Sequence, residues 1–115
     1  MATYSKLPLS GNTSGAPIKV VATSSEGTFI HATDTNFEKI DEIWLYAYNS
    51  ASVSVELTVQ YGGTTSPNND IKVSVPSKSG LILVVPGLIL KDSVVLAYAG
   101  TANVITLSGY VNRIT

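Results

Sequence analysis

The stretch Val53-Ser54-Val55-Glu56-Leu57-Thr58-Val59-Gln60-Tyr61 decides the class of fold, because apolar and polar side chains alternate along it without a break. Successive side chains of a β-strand point to opposite faces, so this period of two predicts a strand with one buried and one solvated face. A second alternation, Ile71, Val73 and Val75, is closed by Pro76 and predicts another half-buried strand.

Six further apolar runs are predicted to be strands, because turn residues separate them about every eight to twelve positions. The only helical candidate, residues 36–42, is too short to stand alone and is predicted to be a loop or one turn. About eight strands in one small domain predict an all-β, antiparallel β-sandwich, with a jelly roll preferred. An immunoglobulin-like sandwich is the rival, and its Cys–Trp–Cys pattern cannot be tested here because the chain has no cysteine. The six runs are 18–21, 28–31, 43–48, 81–85, 94–99 and 104–111.

Residues 1–16 differ from the rest of the chain, since they are rich in Ser, Thr, Gly and Pro and show no strand or helix period. They are predicted to be a flexible, extended N-terminal arm, with residues 17–115 as the β-sandwich domain. Leu7 and Leu9 flank Pro8, and we expect these three residues to dock the arm onto a partner.

The composition limits the classes of partner. The chain has 115 residues and fits one domain, and only 13% of them are charged, against about 25% in typical soluble domains. A surface so poor in charge is less well protected against association. The net charge of −1 and the lack of a basic block predict no nucleic-acid partner. No apolar run approaches the roughly 20 residues of a membrane helix or forms a signal peptide, so neither a membrane nor export by a cleaved signal is expected.

Three of the predicted strands, 43–48, 81–85 and 94–99, are apolar on both faces. An antiparallel sandwich strand normally shows water one face, and no helix is predicted that would cover the other. We therefore expect a second protein surface to cover them, in a homo-oligomer or a firm docking site. One face of 43–48 carries three aromatic rings, which are predicted partner contacts; they belong to Trp44, Tyr46 and Tyr48.

His31 is the only histidine and would have to serve any Ser-His-Asp triad, yet no Gly-x-Ser-x-Gly elbow is present. We interpret it as a hydrogen-bonded or exposed strand histidine. A small hydrolase using His31 with Asp41 or Glu42 is the minor alternative, because the convergent groups of such a site are not visible. The chain is therefore not expected to be an enzyme, and no catalytic residue, cofactor or metal site is predicted.

Two polar clusters have the oxygen ligands that calcium prefers. Asp34, Glu38, Asp41 and Glu42 lack the spacing of an EF-hand loop and are predicted to lie in a solvated loop before a strand. The stretch 68–70, Asn-Asn-Asp, is predicted to be a turn, because these side chains bond to the nearby backbone. Calcium binding is the minor interpretation of both.

Three stretches of the chain resemble those of a known protein family. They are residues 7–11 leading into 18–20, Ile-Asp-Glu-Ile-Trp-Leu-Tyr at 40–46, and Gly-Tyr-Val-Asn-Arg-Ile-Thr at 109–115. The chain resembles the small capsid decoration (cement) proteins of tailed bacteriophages. The resemblance implies a structural virion protein, made in the host cytoplasm and placed on the outer capsid surface. It implies a homo-oligomer, preferably a trimer, that bridges subunits of the major capsid protein. A carbohydrate-binding, lectin-like module that uses Trp44, Tyr46 and Tyr48 is the alternative.

Overall fold

Two antiparallel β-sheets pack face to face in the computed structural model, which describes residues 3–115. Within that range the chain forms nine strands and no helix. The strands are β1 Tyr4–Pro8, β2 Ile18–Lys19, β3 Thr28–Ala32, β4 Ile40–Asn49, β5 Val55–Tyr61, β6 Asp70–Val75, β7 Ile82–Leu90, β8 Val94–Ala99 and β9 Ile105–Ile114.

The order of the strands is that of a jelly roll. One sheet has five strands in the order β1-β9-β4-β7, with β2 also paired to β9, and the other has four in the order β3-β8-β5-β6. If β1 and β2 are counted as the two halves of one interrupted strand, the sheets read 1-8-3-6 and 2-7-4-5. The predicted antiparallel sandwich is confirmed, and this interleaving agrees with the preferred jelly roll.

The core lies between the sheets and follows the predicted alternation. In β4 the odd-numbered side chains are buried and the even-numbered ones are half-buried on the outer face. In β5, Val55, Leu57 and Val59 face the core. The outer face of the four-stranded sheet carries polar residues, because Glu56 pairs with Ser74 and Thr58 pairs with Lys72.

Residues 4–8, which were expected in an unpacked arm, form β1 and pair with β9 from Tyr4 opposite Ile114 to Pro8 opposite Tyr110. The segment showed no period because it is an edge strand that is exposed on both faces except at Leu7. Leu9, which follows it, lies in the core with 3% of its surface exposed. Residues 1 and 2 of the predicted arm lie outside the described residues.

The outer face of β8 is covered by the subunit's own chain. Gly27 lies so close to β8 that a Cβ built on it would be 2.6 Å from the backbone N, C and O of Ala97. The Gln60 amide of β5 holds this segment, since its Oε1 accepts from the Gly27 N–H at 2.9 Å and its Nε2 donates to Ser25 Oγ at 3.0 Å. Leu96, which lies opposite Gln60 on the outer face of β8, is only 8% exposed, while Val94 and Tyr98 on the same face are half-buried.

Candidate functional site

Four large aliphatic side chains are exposed in β7 or directly before it. β7 is an edge strand of the five-stranded sheet. We call this set the β7 surface; it comprises Leu81 (61% exposed), Leu83 (45%), Leu88 (43%) and Ile89 (60%). β7 extends past the predicted end at residue 85, because Pro86 and Gly87 form a bulge where the pairing to β4 shifts by one residue. Proline and bulges are typical of edge strands, where one row of backbone groups has no ladder partner.

Part of the β7 surface shares the outer face with the aromatic side chains of β4: Leu83 and Ile89 lie on that face, whereas Leu88 lies opposite the buried Ile43 and faces the other way. Leu83 lies opposite Tyr46 and Pro86 lies opposite Trp44, and directly paired residues of neighbouring strands share a face. Trp44, Tyr46 and Tyr48 are all half-buried on the outer face of the sheet. Three of the six predicted partner contacts therefore lie on the same face of the sheet as Leu83 and Ile89.

A stack of side chains crosses four strands of this outer face. The Trp44 and Tyr110 rings are stacked, with centroids 6.2 Å apart and planes 13° from parallel. Lys6 Nζ lies 4.4 Å from the centroid of Tyr110. On the other side of Trp44, a Cβ at Gly87 would lie 2.7 Å from Cζ2 and 2.8 Å from Cε2, so the Gly87 backbone rests on the indole. We call Gly87, Trp44, Tyr110 and Lys6 the aromatic stack.

Neighbouring groups contact both rings of the aromatic stack. Trp44 contacts Gly87 on one side and Tyr110 on the other, and Lys6 covers the Tyr110 ring. The polar end of the stack is also occupied, since Glu42 Oε1 accepts from Trp44 Nε1 at 2.8 Å and from Asn112 Nδ2 at 3.1 Å. These two hydrogen bonds lower the pKa of Glu42 below its ordinary value.

A second cluster is buried at the end of the sandwich where β3, β4 and β9 approach the segment after β1. His31 Nε2 lies 2.8 Å from Asp41 Oδ2, and Arg113 binds the same carboxylate with two groups, Nε at 2.7 Å and Nη2 at 2.9 Å. On the other side of the imidazole, His31 Nδ1 accepts from the backbone N–H of Ser10 at 3.0 Å. Ser10 Oγ is 3.1 Å from the same nitrogen. His31 and Asp41 are both 1% exposed.

The charges of this cluster follow from its hydrogen bonds. Burial lowers the pKa of His31, and its bond to Asp41 does not fully offset this effect. Burial alone would raise the pKa of Asp41, but the hydrogen bonds from Arg113 and His31 outweigh it and lower the pKa. At neutral pH the cluster therefore contains a neutral imidazole between a backbone N–H and an ionised carboxylate that is paired with a guanidinium.

Sequence reasoning placed Asp41 and Glu42 in a solvated loop, and for both residues this was wrong. They begin β4, where the alternation turns Asp41 into the core beside Ile43 and leaves Glu42 on the outer face. Asp34 is half-buried outside the core and lies 3.5 Å from Lys39 Nζ, while Glu38 is exposed in the loop, as predicted. In the sequence, aliphatic Ile43, Leu45 and Ala47 alternate with aromatic side chains, and extending this period of two back to Asp41 is the signal that could have placed it on the aliphatic face.

The remaining predicted residues are placed as follows. Of the loop or turn predicted over 36–42, residues 36–39 form a turn, closed by the Lys39 N–H donating to the Asn36 carbonyl at 3.0 Å, whereas residues 40–42 belong to β4. The turn predicted at 68–70 lies at 66–69, where Asn69 Nδ2 donates to the Tyr61 carbonyl, and Asp70 begins β6. Within residues 3–115 no group of three or more His, Asp or Glu side chains is arranged to hold a metal ion.

The three predicted partner contacts of the arm differ in how deeply they are buried. Pro8 is exposed and Leu7 is half-buried in β1, whereas Leu9 is buried in the core of its own subunit. A partner that approaches this end of the subunit therefore meets Pro8 and part of Leu7, but not Leu9.

Comparison with known proteins identifies no relative: no family model, no curated protein and no solved structure matches the chain. In residues 3–115 there is no helix of the length and apolar character needed to cross a bilayer.

Proposed function

We propose that this protein is a structural protein that self-associates through the β7 surface and, as an oligomer, decorates a phage capsid by bridging major capsid subunits. The observation that carries the proposal is the β7 surface itself. Four large aliphatic side chains in β7 or next to it are each at least 43% exposed, and of these Leu83 and Ile89 face outward on the sheet. Exposed apolar surface on an edge strand is typical of protein–protein contact sites.

A second copy of the chain is the partner that fits this surface in the proposal. Only 13% of residues are charged, and the outer face beside β7 has partly buried rings, with Glu42 and Lys6 as charged groups in contact with them. The cores of homo-oligomeric interfaces are likewise apolar, aromatic and depleted of charge. A trimer, with the opposite end of each subunit turned to the capsid, is the arrangement that the resemblance to capsid decoration proteins favours.

The capsid part of the proposal is tested by mixing the purified protein with expanded shells of the major capsid protein encoded in the same genome. We expect saturable co-sedimentation, with copies bound in a fixed ratio to capsid subunits. A matched variant, Pro8→Asp, changes an exposed residue of β1 and should weaken shell binding without changing self-association. Shells that bind no protein at saturating concentration would contradict the capsid role and leave the self-association claim intact.

We propose further that the Ser10–His31–Asp41 cluster is structural, and that the chain is not an enzyme. In a triad, the histidine nitrogen beside the serine must be free to take the hydroxyl proton. Here the lone pair of His31 Nδ1 accepts the Ser10 N–H, and Ser10 Oγ itself accepts the Ala32 N–H at 2.7 Å. We expect no labelling of Ser10 by a fluorophosphonate, and stoichiometric labelling that is lost in Ser10→Ala would contradict this role.

A carbohydrate-binding module is the alternative function, because an aromatic strip beside Glu42 and Asn112 has the residue types that bind sugars. The aromatic stack weighs against it, because Trp44 and Tyr110 are both half-buried and already contact Gly87, each other and Lys6. We expect the Trp44 fluorescence to be unchanged by a glycan panel. Saturable quenching that is abolished in Tyr46→Ala would favour the alternative.

A further inference from the structure

His31 joins the segment after β1 to the rest of the sandwich. A backbone N–H can only donate, so the bond from Ser10 requires His31 Nδ1 to be unprotonated, and the ring proton must lie on Nε2, toward Asp41. Both ring nitrogens of His31 therefore already have a hydrogen-bond partner. A second proton can be added only at Nδ1, where it would oppose the Ser10 N–H.

The charged groups around His31 disfavour that second proton. Asp41, from β4, is already paired with Arg113 from β9 through two hydrogen bonds. Asp34, in the loop between β3 and β4, is 4.0 Å from Arg113 Nη1 and lies outside the buried cluster. Tyr61, from β5, is neutral, and burial raises its pKa further. The excess positive charge on a protonated His31 would thus have no free carboxylate to balance it.

Apart from His31, the segment is held by the ladder to β9, by two backbone bonds between Thr3 and Thr115, and by the bond from the Ala32 N–H to Ser10 Oγ. β1 is an edge strand, exposed at four of its five residues, and pairs only with β9. After it, Leu9 is buried and the Gly11 N–H donates to the Ile30 carbonyl at 2.9 Å. Edge segments with exposed backbone bonds and few buried side chains open locally at low free energy.

We propose that His31 is an acid-sensitive latch, whose protonation at Nδ1 breaks the bond to Ser10 and releases residues 3–11 while the rest of the sandwich stays folded. The released segment uncovers the β9 edge that β1 otherwise occupies. This inference is independent of the proposed self-association and capsid roles, because it concerns contacts within one subunit.

The direction of the pH dependence follows from linkage. Burial in the docked state lowers the pKa of His31 below its ordinary value. At a pH below that ordinary pKa, the released state therefore binds more protons than the docked state. Docking is complete above about pH 6.5 and weakens as the pH falls below it. If His31 regains an ordinary pKa of about 6.5 when released, docking at pH 5.0 is weaker by up to about thirtyfold than at pH 7.5.

Amide hydrogen exchange of the full chain at pH 7.5 and 5.0, corrected for the intrinsic effect of pH, tests the latch. We expect protection of the β1 amides and of Ser10 and Gly11 to fall by up to about thirtyfold, while the β5 amides keep theirs. Ser10→Ala keeps the backbone N–H and should show the same fall. In His31→Gln, which cannot titrate, protection of the segment should not depend on pH.

Three results would overturn the latch. One is unchanged protection of residues 4–11 at pH 5.0, and another is a loss of protection that is equal in β1 and β5, which would mean global unfolding. The third is a fall that persists in His31→Gln. Should that variant not fold, the imidazole ¹⁵N shifts of the unaltered protein decide instead: a His31 pKa at or above 6.5 contradicts the proposal, and one below it, with coincident loss of the Ser10 amide signal, supports it.

Discussion

Strands β7 and β8 look alike in the sequence and differ in the structure. Residues 81–85 at the start of β7 are Leu, Ile and Val only, β8 consists of Val, Leu, Ala and Tyr, and each was expected to need cover on its outer side. β8 lies inside its sheet, between β3 and β5, with Gly27 close to its backbone at Ala97, and Leu96 on its outer face is 8% exposed. β7 is an edge strand, and Leu83 on its outer face is 45% exposed.

The difference shows that a doubly apolar strand does not by itself predict a partner. The cover over β8 depends on three groups that the sequence leaves far apart, since Gln60 bonds to Ser25 and Gly27 from a distance of 35 and 33 positions in the chain. Leu83 and Ile89 of β7 remain at least 45% exposed, and the bulge of β7 at Gly87 contacts the aromatic stack. Apolar surface that is still exposed in the folded subunit is a better indicator of an interface than an apolar strand in the sequence.

The sharpest way to test this comparison is the same substitution at one residue of each strand. Leu96→Asp places an unpaired charge in a buried position and should lower the free energy of unfolding by about 3–5 kcal/mol. Leu83→Asp changes an exposed position and should alter the free energy of unfolding of the subunit by no more than about 0.5 kcal/mol. Urea unfolding of both variants below the concentration of self-association measures the difference, and equal losses would contradict it.

A smaller effect is expected at the bulge of β7. Gly87 has φ of 77° and a Cβ there would meet the indole of Trp44, so Gly87→Ala combines backbone strain with a steric clash. We expect a loss of about 2–4 kcal/mol in the free energy of unfolding. Gly80→Ala is the control, because Gly80 has φ of 72° with open space around it and reports the backbone cost alone, about 1–2 kcal/mol. Identical losses would show that Gly87 and Trp44 are not in close contact.

The cover over β8 should be weakened by Gln60→Ala, which leaves the Gly27 N–H and Ser25 Oγ without their partner. The expected loss is about 1–3 kcal/mol, together with new binding of a hydrophobic dye as the outer face of β8 is uncovered. Glu56→Ala, at an exposed position on the same face of β5, should change the free energy of unfolding by less than about 0.5 kcal/mol. Thermal unfolding of the pair checks the prediction, and a neutral Gln60→Ala would mean that segment 25–27 does not depend on the amide.

The part of the fold that could be predicted from the sequence is the part that follows local periodicity. The alternation in β5 and β6 is visible because one face of each strand meets the core and the other carries polar side chains. β1 could not be found in this way, since an edge strand exposed on both faces needs no alternation. Its position is set by pairing with β9, more than 100 residues later in the chain, as Tyr4 lies opposite Ile114.

The residues of the candidate sites likewise fall into those that local periodicity could predict and those that it could not. Trp44, Tyr46 and Tyr48 lie on one face of one strand, so the period of two was enough to place them together. The buried cluster joins His31 to Asp41, ten positions away, and Asp41 to Arg113, 72 positions away. Their meeting depends on the order of strands in the jelly roll, which the periodicity of a single sequence does not contain.

The central claim is that the β7 surface is covered by a second copy of the chain, and sedimentation velocity over a range of concentrations tests it most directly. The unaltered protein is expected to sediment as a defined oligomer at micromolar concentration. The double variant Leu83→Asp, Ile89→Asp should sediment as a folded monomer, with a circular dichroism spectrum like that of the unaltered protein. A protein that remains a monomer at every concentration, or a double variant that still forms the oligomer, would contradict the account.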